Sequence, residues 1–443
     1  MTEVTAPGGR WRGQIADGIA VFRGVRYARA ERFAAPEPCP GTADAVPAVE
    51  PGPIAPQLPS RLEGVMGAPE PHPWSEDCLN LTVTAPATTG ATARPVLVWI
   101  HGGAYLSGSG GWRCYDAQRL VRETGIVVVS INYRLGALGY LRAPGVAPGN
   151  LGLLDQITAL EWVRDNIGAF GGDPGKVTVA GQSAGGQSIA ALLGIERTAG
   201  LFQRAILQSA PLGLPFHTPA RAEHVAEVML ARLGTDPQSA SIPELLRAQA
   251  ETVRHFAGPG GLNAAPPFLP IAGADPLPDT TARRAEIRRR ASGLQVIAGH
   301  TAHEMAAFHV GHPVFDTIRR VPVAGPRIAT AISNTLSRKV FETPMFELAD
   351  ELTAAGARVH CYRIPALHPA NPLTAGHCIE LPLLFGDEHA WRAAPMLNGI
   401  PPAHLNELGA RMRRQWGELV TSGTTTPRWA AHTFGSRDAH RLP

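Results

Sequence analysis

Gly181-Gln182-Ser183-Ala184-Gly185 sets a serine between two glycines, directly after the apolar run Val177–Ala180 and ahead of a helical segment. A serine hydroxyl becomes a strong nucleophile when a base takes its proton and the backbone exposes its oxygen. A strand–turn–helix supplies the exposure, and the turn is so tight that its flanking positions must lack bulk. The helix that begins there aims its first N–H groups at the site, where negative charge is favoured. Upstream, His101-Gly102-Gly103-Ala104 follows a second apolar run, Val96–Ile100. Glycine-rich backbone can present N–H donors to a tetrahedral oxyanion without side-chain obstruction. The chemistry these two features describe together is acyl transfer.

The base for such a serine is a histidine, and the chain has 16. His377 lies in Thr374-Ala375-Gly376-His377-Cys378-Ile379-Glu380-Leu381-Pro382, far downstream of Ser183, as the chain order serine, acid, histidine requires. Most of the other histidines read as surface or packing residues. The acid should fall between the two. Glu304 follows the apolar run Gln295–Gly299, just past the C-terminal end of a strand, where ligand-facing residues of an open α/β sheet collect. His300, His303, Glu304 and His309 invite a rival metal reading. A zinc site on one helix needs its histidines four apart, whereas here the second follows His303 by six positions, so no metal is expected.

The elements that must hold these residues can be read from periodicity. Ile19–Tyr27, Leu79–Thr84, Val96–Ile100 and Ile126–Asn132 read as strands. The last two are continuous Val/Ile-rich runs, as a strand covered on both faces requires. Leu153–Ile167 has helical spacing, Val177–Ala180 is a strand, Ser188–Leu193 a helix and Ala205–Gln208 a strand. This alternation predicts a mostly parallel sheet with helices on both faces. Arg221–Leu233 and Ile242–Phe256 are amphipathic and are followed by the Gly/Pro-rich stretch Gly258–Pro270. Residues 210–290 are therefore expected to form a helical insertion, a cap or part of the pocket wall, within one domain spanning 1–443. Gln295–Gly299 and Arg358–Ile364 return to the sheet. Residues 430–443 are polar and expected to fray.

Composition narrows the class. The 443 residues are 44% hydrophobic and 17% charged, enough for a large core. Net charge is only +3, and no run of lysine or arginine forms a nucleic-acid footprint. No run of about 18 apolar residues is present, so no membrane span is expected, and the first ten residues lack the apolar core of a signal peptide. The five cysteines are irregularly spaced without a CxxC pair, which argues against a disulfide framework or zinc site and makes a reducing cytoplasm the default location.

Longer motifs resemble those of the type B carboxylesterases, which include para-nitrobenzyl esterases and cholinesterases. They are Arg32-Phe33 with Ser75-Glu76-Asp77-Cys78-Leu79-Asn80-Leu81, Val98 to Tyr105, Asn132-Tyr133-Arg134-Leu135-Gly136, Gly149 to Gln156, Phe170 to Pro174, Gly181–Gly186, and His377 to Gly386. The resemblance runs over nearly the whole chain. It implies an α/β-hydrolase fold, hydrolysis of a small-molecule ester by a Ser183, Glu304, His377 triad, and an oxyanion hole from the N–H groups of Gly103, Ala104 and Ala184. It also implies structural ion pairs of Arg32 with Glu76 and Arg134 with Asp155. No cofactor, nucleic acid or membrane partner follows from it, and the chain is expected as a monomer or homodimer. The sequence departs from the family in having His303-Glu304-Met305 where Asp-Glu-Gly is usual, and Gln182 where many members carry glutamate. The small residues of His101-Gly102-Gly103-Ala104-Tyr105 imply tolerance of bulky, even tertiary, alcohol esters. The same residues would also serve an acyltransferase or lactone-forming enzyme, a reading the motifs leave open.

Overall fold

The computed structural model describes residues 1–88, 92–258, 265–425 and 429–442. Its centre is a twelve-stranded sheet. The principal strands are β1 (Thr2–Ala6), β2 (Gly9–Ala16), β3 (Ile19–Arg26), β4 (Asn80–Pro86), β5 (Arg94–Ile100), β6 (Val127–Ile131), β7 (Gly172–Gln182), β8 (Arg204–Gln208), β9 (Gln295–Thr301), β10 (Arg358–Ile364) and β11 (His440–Arg441). Their order is β1-β2-β3-β4-β6-β5-β7-β8-β9-β10-β11, and the short strand Ala45–Pro47 pairs with β2. The β1-to-β4 end is antiparallel; from β6 to β11 every pair is parallel.

The alternation of side chains along β5 explains why a single strand serves two cores. Val96, Val98 and Ile100 face one cluster together with Leu160 and Ile189, while Leu97 and Trp99 face another with Met412 and Trp416. The helices bearing these partners are α1 (Leu151–Asn166) and α2 (Ala184–Leu192) on one face, and the long C-terminal helix Pro402–Ser422 on the other. A parallel sheet needs this double cover, because its strands are apolar on both sides.

Residues 210–290 contain α3 (Pro219–Leu233), α4 (Ile242–Ala257) and α5 (Thr280–Arg290). Ser241 caps α4 reciprocally with Glu244, and Thr218 caps α3. Residues 259–264 of the Gly/Pro-rich stretch lie outside the described residues. The chain then adds α6 (Ala324–Ser337), a π-helical turn Arg338–Glu342, and α7 (Thr343–Ala354) between β9 and β10.

Two ion pairs tie the loops that frame the site. Arg134 makes a buried bidentate pair with Asp155, at 2.7 and 2.9 Å, and Arg32 pairs with Glu76. All five cysteines are free.

Part of the segment expected to fray, 440–442, is docked on the sheet edge. Trp429 and Leu442 are buried, and β11 pairs in parallel with β10. The physical reason is the unpaired edge of β10, whose backbone groups 440–441 satisfy, together with the apolar side chains Trp429 and Leu442 that the polar composition hid. Among the described residues, no helix is long and apolar enough to cross a membrane.

Candidate active site

Ser183 ends β7 and begins α2, with φ 57° and ψ −123°, a conformation costly for any residue with a side chain. The surroundings enforce it. The Ser183 N–H donates to the Gln208 carbonyl at 2.8 Å. A Cβ on Gly185 would fall 2.0 Å from the Ile100 carbonyl oxygen, so α2 can approach β5 this closely only with glycine there. The result is a hydroxyl raised above the carboxyl end of the sheet, 9% exposed.

His377 is fully buried beside it. Its Nε2 lies 2.8 Å from Ser183 Oγ and its Nδ1 2.6 Å from Glu304 Oε2. Phe308 and Phe341 flank the imidazole, with ring centroids at 5.0 and 5.2 Å. Glu304 sits in the turn after β9, and its Oε1 accepts the Thr301 N–H at 2.7 Å. Burial pushes the Glu304 carboxyl up, but the hydrogen bond and charge of His377 and the Thr301 N–H outweigh it, leaving it below its usual range. The three residues that sequence reasoning chose thus form one hydrogen-bonded line.

The turn after β5 comes against the serine from the other side; a Cβ on Gly102 would be 3.1 Å from Ser183 Cβ. Gly103, Ala104 and Tyr105 all have positive φ. The N–H groups of Leu106 and Ser107 both return to the Gly103 carbonyl, closing the turn. Among the described residues, the N–H groups of Gly103 and Ala104 find no partner within the chain, and that of Ala184, at the start of α2, lies in the first turn where no i−4 carbonyl is available. Underneath, His101 stacks on Tyr133 at 4.4 Å, and the Tyr133 hydroxyl donates to the His101 carbonyl. Burial, only partly offset by the Gly102 carbonyl, pushes His101 down to about 4, so the ring is neutral.

A second buried carboxyl stands behind the line. Glu380 Oε1 accepts hydrogen bonds from Ser209 at 2.8 Å and Tyr362 at 2.6 Å. Burial and the charge of Glu304 raise Glu380 to about 8, so it is neutral at pH 7. Ser209 is itself at φ 46°. Sequence reasoning passed over Glu380, Ser209 and Tyr362. A signal was present: Glu380 interrupts the apolar run Ile379 to Phe385, and a carboxyl there has to be buried.

The histidines of the metal reading go elsewhere. His300 contacts the Thr301 carbonyl, His303 the Asn334 side chain and His309 the Ser333 hydroxyl.

A cavity opens at Ser183, walled by Leu62, Met66, Trp112, Tyr115, Leu381 and Trp391 and floored by Gly102, Gly103 and Gln182. The walls come from segments 62–70, 112–115 and 381–391, to which the sequence patterns assigned no part in a pocket. With a serine hydroxyl hydrogen-bonded to a histidine, that histidine held by a buried carboxylate, backbone N–H groups beside the serine and a cavity opening on it, the arrangement can hydrolyse an activated carbonyl.

Comparison with known proteins bears on which. A family model, the carboxylesterase family, matches residues 1–316. A Rhodococcus erythropolis protein named "Probable N-octanoylanthranilate hydrolase AqdA2" is 55% identical over 99% of this chain and 97% of its own length. The para-nitrobenzyl esterase of Bacillus subtilis (strain 168) is 34% identical over 87% of this chain and 83% of its own. The solved carboxylesterase of Geobacillus stearothermophilus superposes with a TM-score of 0.83 at 30% identity, covering 100% of this chain and 96% of that one. With the fold, the raised serine and these relatives in agreement, the chain belongs to the carboxylesterase family and is a carboxylic-ester hydrolase of the α/β-hydrolase superfamily.

Proposed function

We propose that Ser183 is the nucleophile, His377 the general base and Glu304 the orienting acid of a two-step hydrolysis through an acyl-enzyme. The supporting observation is the continuous hydrogen-bonded line from Glu304 through His377 to the strained Ser183 hydroxyl. His377 Nε2 takes the Ser183 proton as Oγ bonds to the ester carbonyl carbon. Glu304 keeps the remaining ring proton on Nδ1 and stabilises the imidazolium. The N–H groups of Gly103, Ala104 and Ala184 receive the oxyanion, where losing one donor typically costs about 100- to 1000-fold in rate. Nε2 then protonates the leaving oxygen and the alcohol departs. Water repeats the sequence on the acyl-enzyme, and Ser183 regains its proton.

The leaving group must meet His377 Nε2, so it occupies the cavity that Gln182 and Leu381 border. Next to Ser183 that cavity is lined in part by Gly102 and Gly103, which lack side chains and so support room for a branched alcohol carbon. The acyl chain then runs to the other side, beneath Phe308 and Phe341. The first turn of the 210–290 insertion backs Phe341 there: the Gly213 N–H donates to the Val340 carbonyl at 2.9 Å.

The decisive experiment compares parent and Ser183→Ala on a para-nitrophenyl ester, then tert-butyl acetate against ethyl acetate. Ser183→Ala should retain no more than a few per cent of the parent rate. A higher rate places the nucleophile elsewhere, and no tert-butyl turnover above the Ser183→Ala blank removes the bulky-alcohol reading. The same preparation, sized by light scattering, should run as a monomer or homodimer.

A second reading has its own support. The 55% identical relative carries the name of an N-acyl hydrolase. In the same cavity the leaving atom would be an amide nitrogen.

A further inference from the structure

Gln182 stands where the leaving group has to be. Its carboxamide nitrogen lies 3.2 Å from His377 Nε2, the atom that hands a proton to the departing heteroatom. A leaving atom that approaches Nε2 from the Gln182 side therefore comes within hydrogen-bonding reach of that carboxamide. The side chain is 1% exposed and forms part of the cavity floor. Among the described residues its oxygen accepts from the Cys378 thiol at 3.7 Å, a weak donor, so its acceptor capacity is largely unspent. Rotation about a terminal carboxamide torsion is soft, so either end can be turned to the cavity.

We propose that Gln182 is a specificity-determining residue that equips this site to cleave secondary N-aryl amides, by accepting the N–H of the leaving nitrogen. This rests on the Ser183–His377 reading above. An ester and an amide ask different things of a serine hydrolase. An ester oxygen offers a lone pair to the imidazolium whichever way it is turned. An amide nitrogen in the tetrahedral adduct carries one N–H and one lone pair, and only one of them can face His377 Nε2. A hydrogen-bond acceptor beside Nε2 holds the N–H aside and leaves the lone pair aimed at the proton.

The sequence of bonds balances without any further reagent. Ser183 Oγ bonds to the carbonyl carbon as its proton passes to His377. The proton then moves from Nε2 to nitrogen, the C–N bond breaks, and the aryl amine leaves. Water adds to the acyl-enzyme, and a carboxylic acid departs.

A glutamate at this position, as in many relatives by the motif comparison, would serve less well. Its carboxylate would bind the Nε2 proton itself and would join Glu304 and Glu380 as a third buried acid. The neutral carboxamide avoids both. The aryl ring of the leaving amine has Trp112, Tyr115 and Trp391 to pack against.

The test uses two substrates that differ at one atom, phenyl octanoate and N-phenyloctanamide, with the full-length enzyme, Gln182→Met and Ser183→Ala. Methionine keeps the length of the side chain and removes the strong acceptor. Gln182→Met should lower the anilide-to-ester ratio of kcat/KM about tenfold, mostly through kcat on the anilide. Equal losses on both substrates would show that Gln182 merely supports His377, and no loss on the anilide would remove its role; either overturns the proposal. An enzyme that cleaves the ester but not the anilide refutes the amide activity and leaves the ester mechanism standing. Retention of ester activity by Ser183→Ala would instead refute the mechanism itself.

Discussion

Glu304 and Glu380 are both buried and feel one another's charge, yet their surroundings push them in opposite directions. Glu304 has a partner whose charge it complements; Glu380 has only neutral hydroxyls and an anionic neighbour. Glu304→Gln should therefore keep the fold and abolish the chemistry. The amide would hold Thr301 through its oxygen and turn an N–H toward His377 Nδ1, fixing the wrong tautomer. A loss of about 10,000-fold in kcat, with an unchanged melting temperature, is expected; a near-normal rate would point to another acid. For Glu380 the sign runs the other way. Its folded value is about 8, above the ordinary carboxyl value of 4.5, so the native state holds an extra proton between those limits. Stability should thus fall as pH rises from about 5 to 8. Glu380→Gln should flatten that slope, which thermal melts at pH 6 and pH 8 would reveal. A slope equal to the parent's would mean that Glu380 ionises normally.

At the scale of elements, the site is a junction of β5, β7 and α2, and its tightest point is Gly185. Gly185→Ala should destabilise by about 3 kcal/mol, because the added carbon meets backbone on a neighbouring strand and neither element can move alone. Urea unfolding would measure it, and a loss under 1 kcal/mol would show that the junction yields. Much of this junction was legible in the sequence. The glycines, the Val/Ile runs and the order of serine, acid and histidine carry strong local signals, and β10 was delimited exactly as Arg358–Ile364. What was not legible has physical reasons. The β1–β2 hairpin alternates arginines and other polar residues with a few apolar ones, since only one face is covered, and so lacks an apolar run. The cavity walls at 62–70 and 381–391 come from helices of only four or five residues, Glu63–Met66, Glu380–Leu384 and Glu388–Trp391, too short to show a periodicity. Gln182 was noticed as a departure, but nothing in the sequence places its carboxamide against Nε2.

For the molecule as a whole, the far edge of the sheet matters more than its distance from Ser183 suggests. Trp429 packs beside Trp416 and Tyr362, with ring centroids at 6.1 and 6.4 Å, and its Nε1 donates to the Cys361 carbonyl. Trp429→Ala should cost about 3 to 5 kcal/mol, seen as a lowered melting temperature; an unchanged melt would mean that the edge is not docked in solution. Tyr362 pairs through its backbone with His440 of β11 and through its hydroxyl with Glu380. Its ring lies over Gly299, where a Cβ would be 2.2 Å away. One side chain therefore spans from the sheet's last strand to the carboxyl behind the triad. The outermost strand of a sheet is the first to open when a protein breathes. In this enzyme such breathing is not silent. Each opening of 440–441 loosens the backbone that holds Tyr362, and with it the hydrogen bond that orients Glu380. Heating should then extinguish turnover several degrees before circular dichroism registers the loss of the fold, and amide exchange at Tyr362 should track the activity rather than the melt.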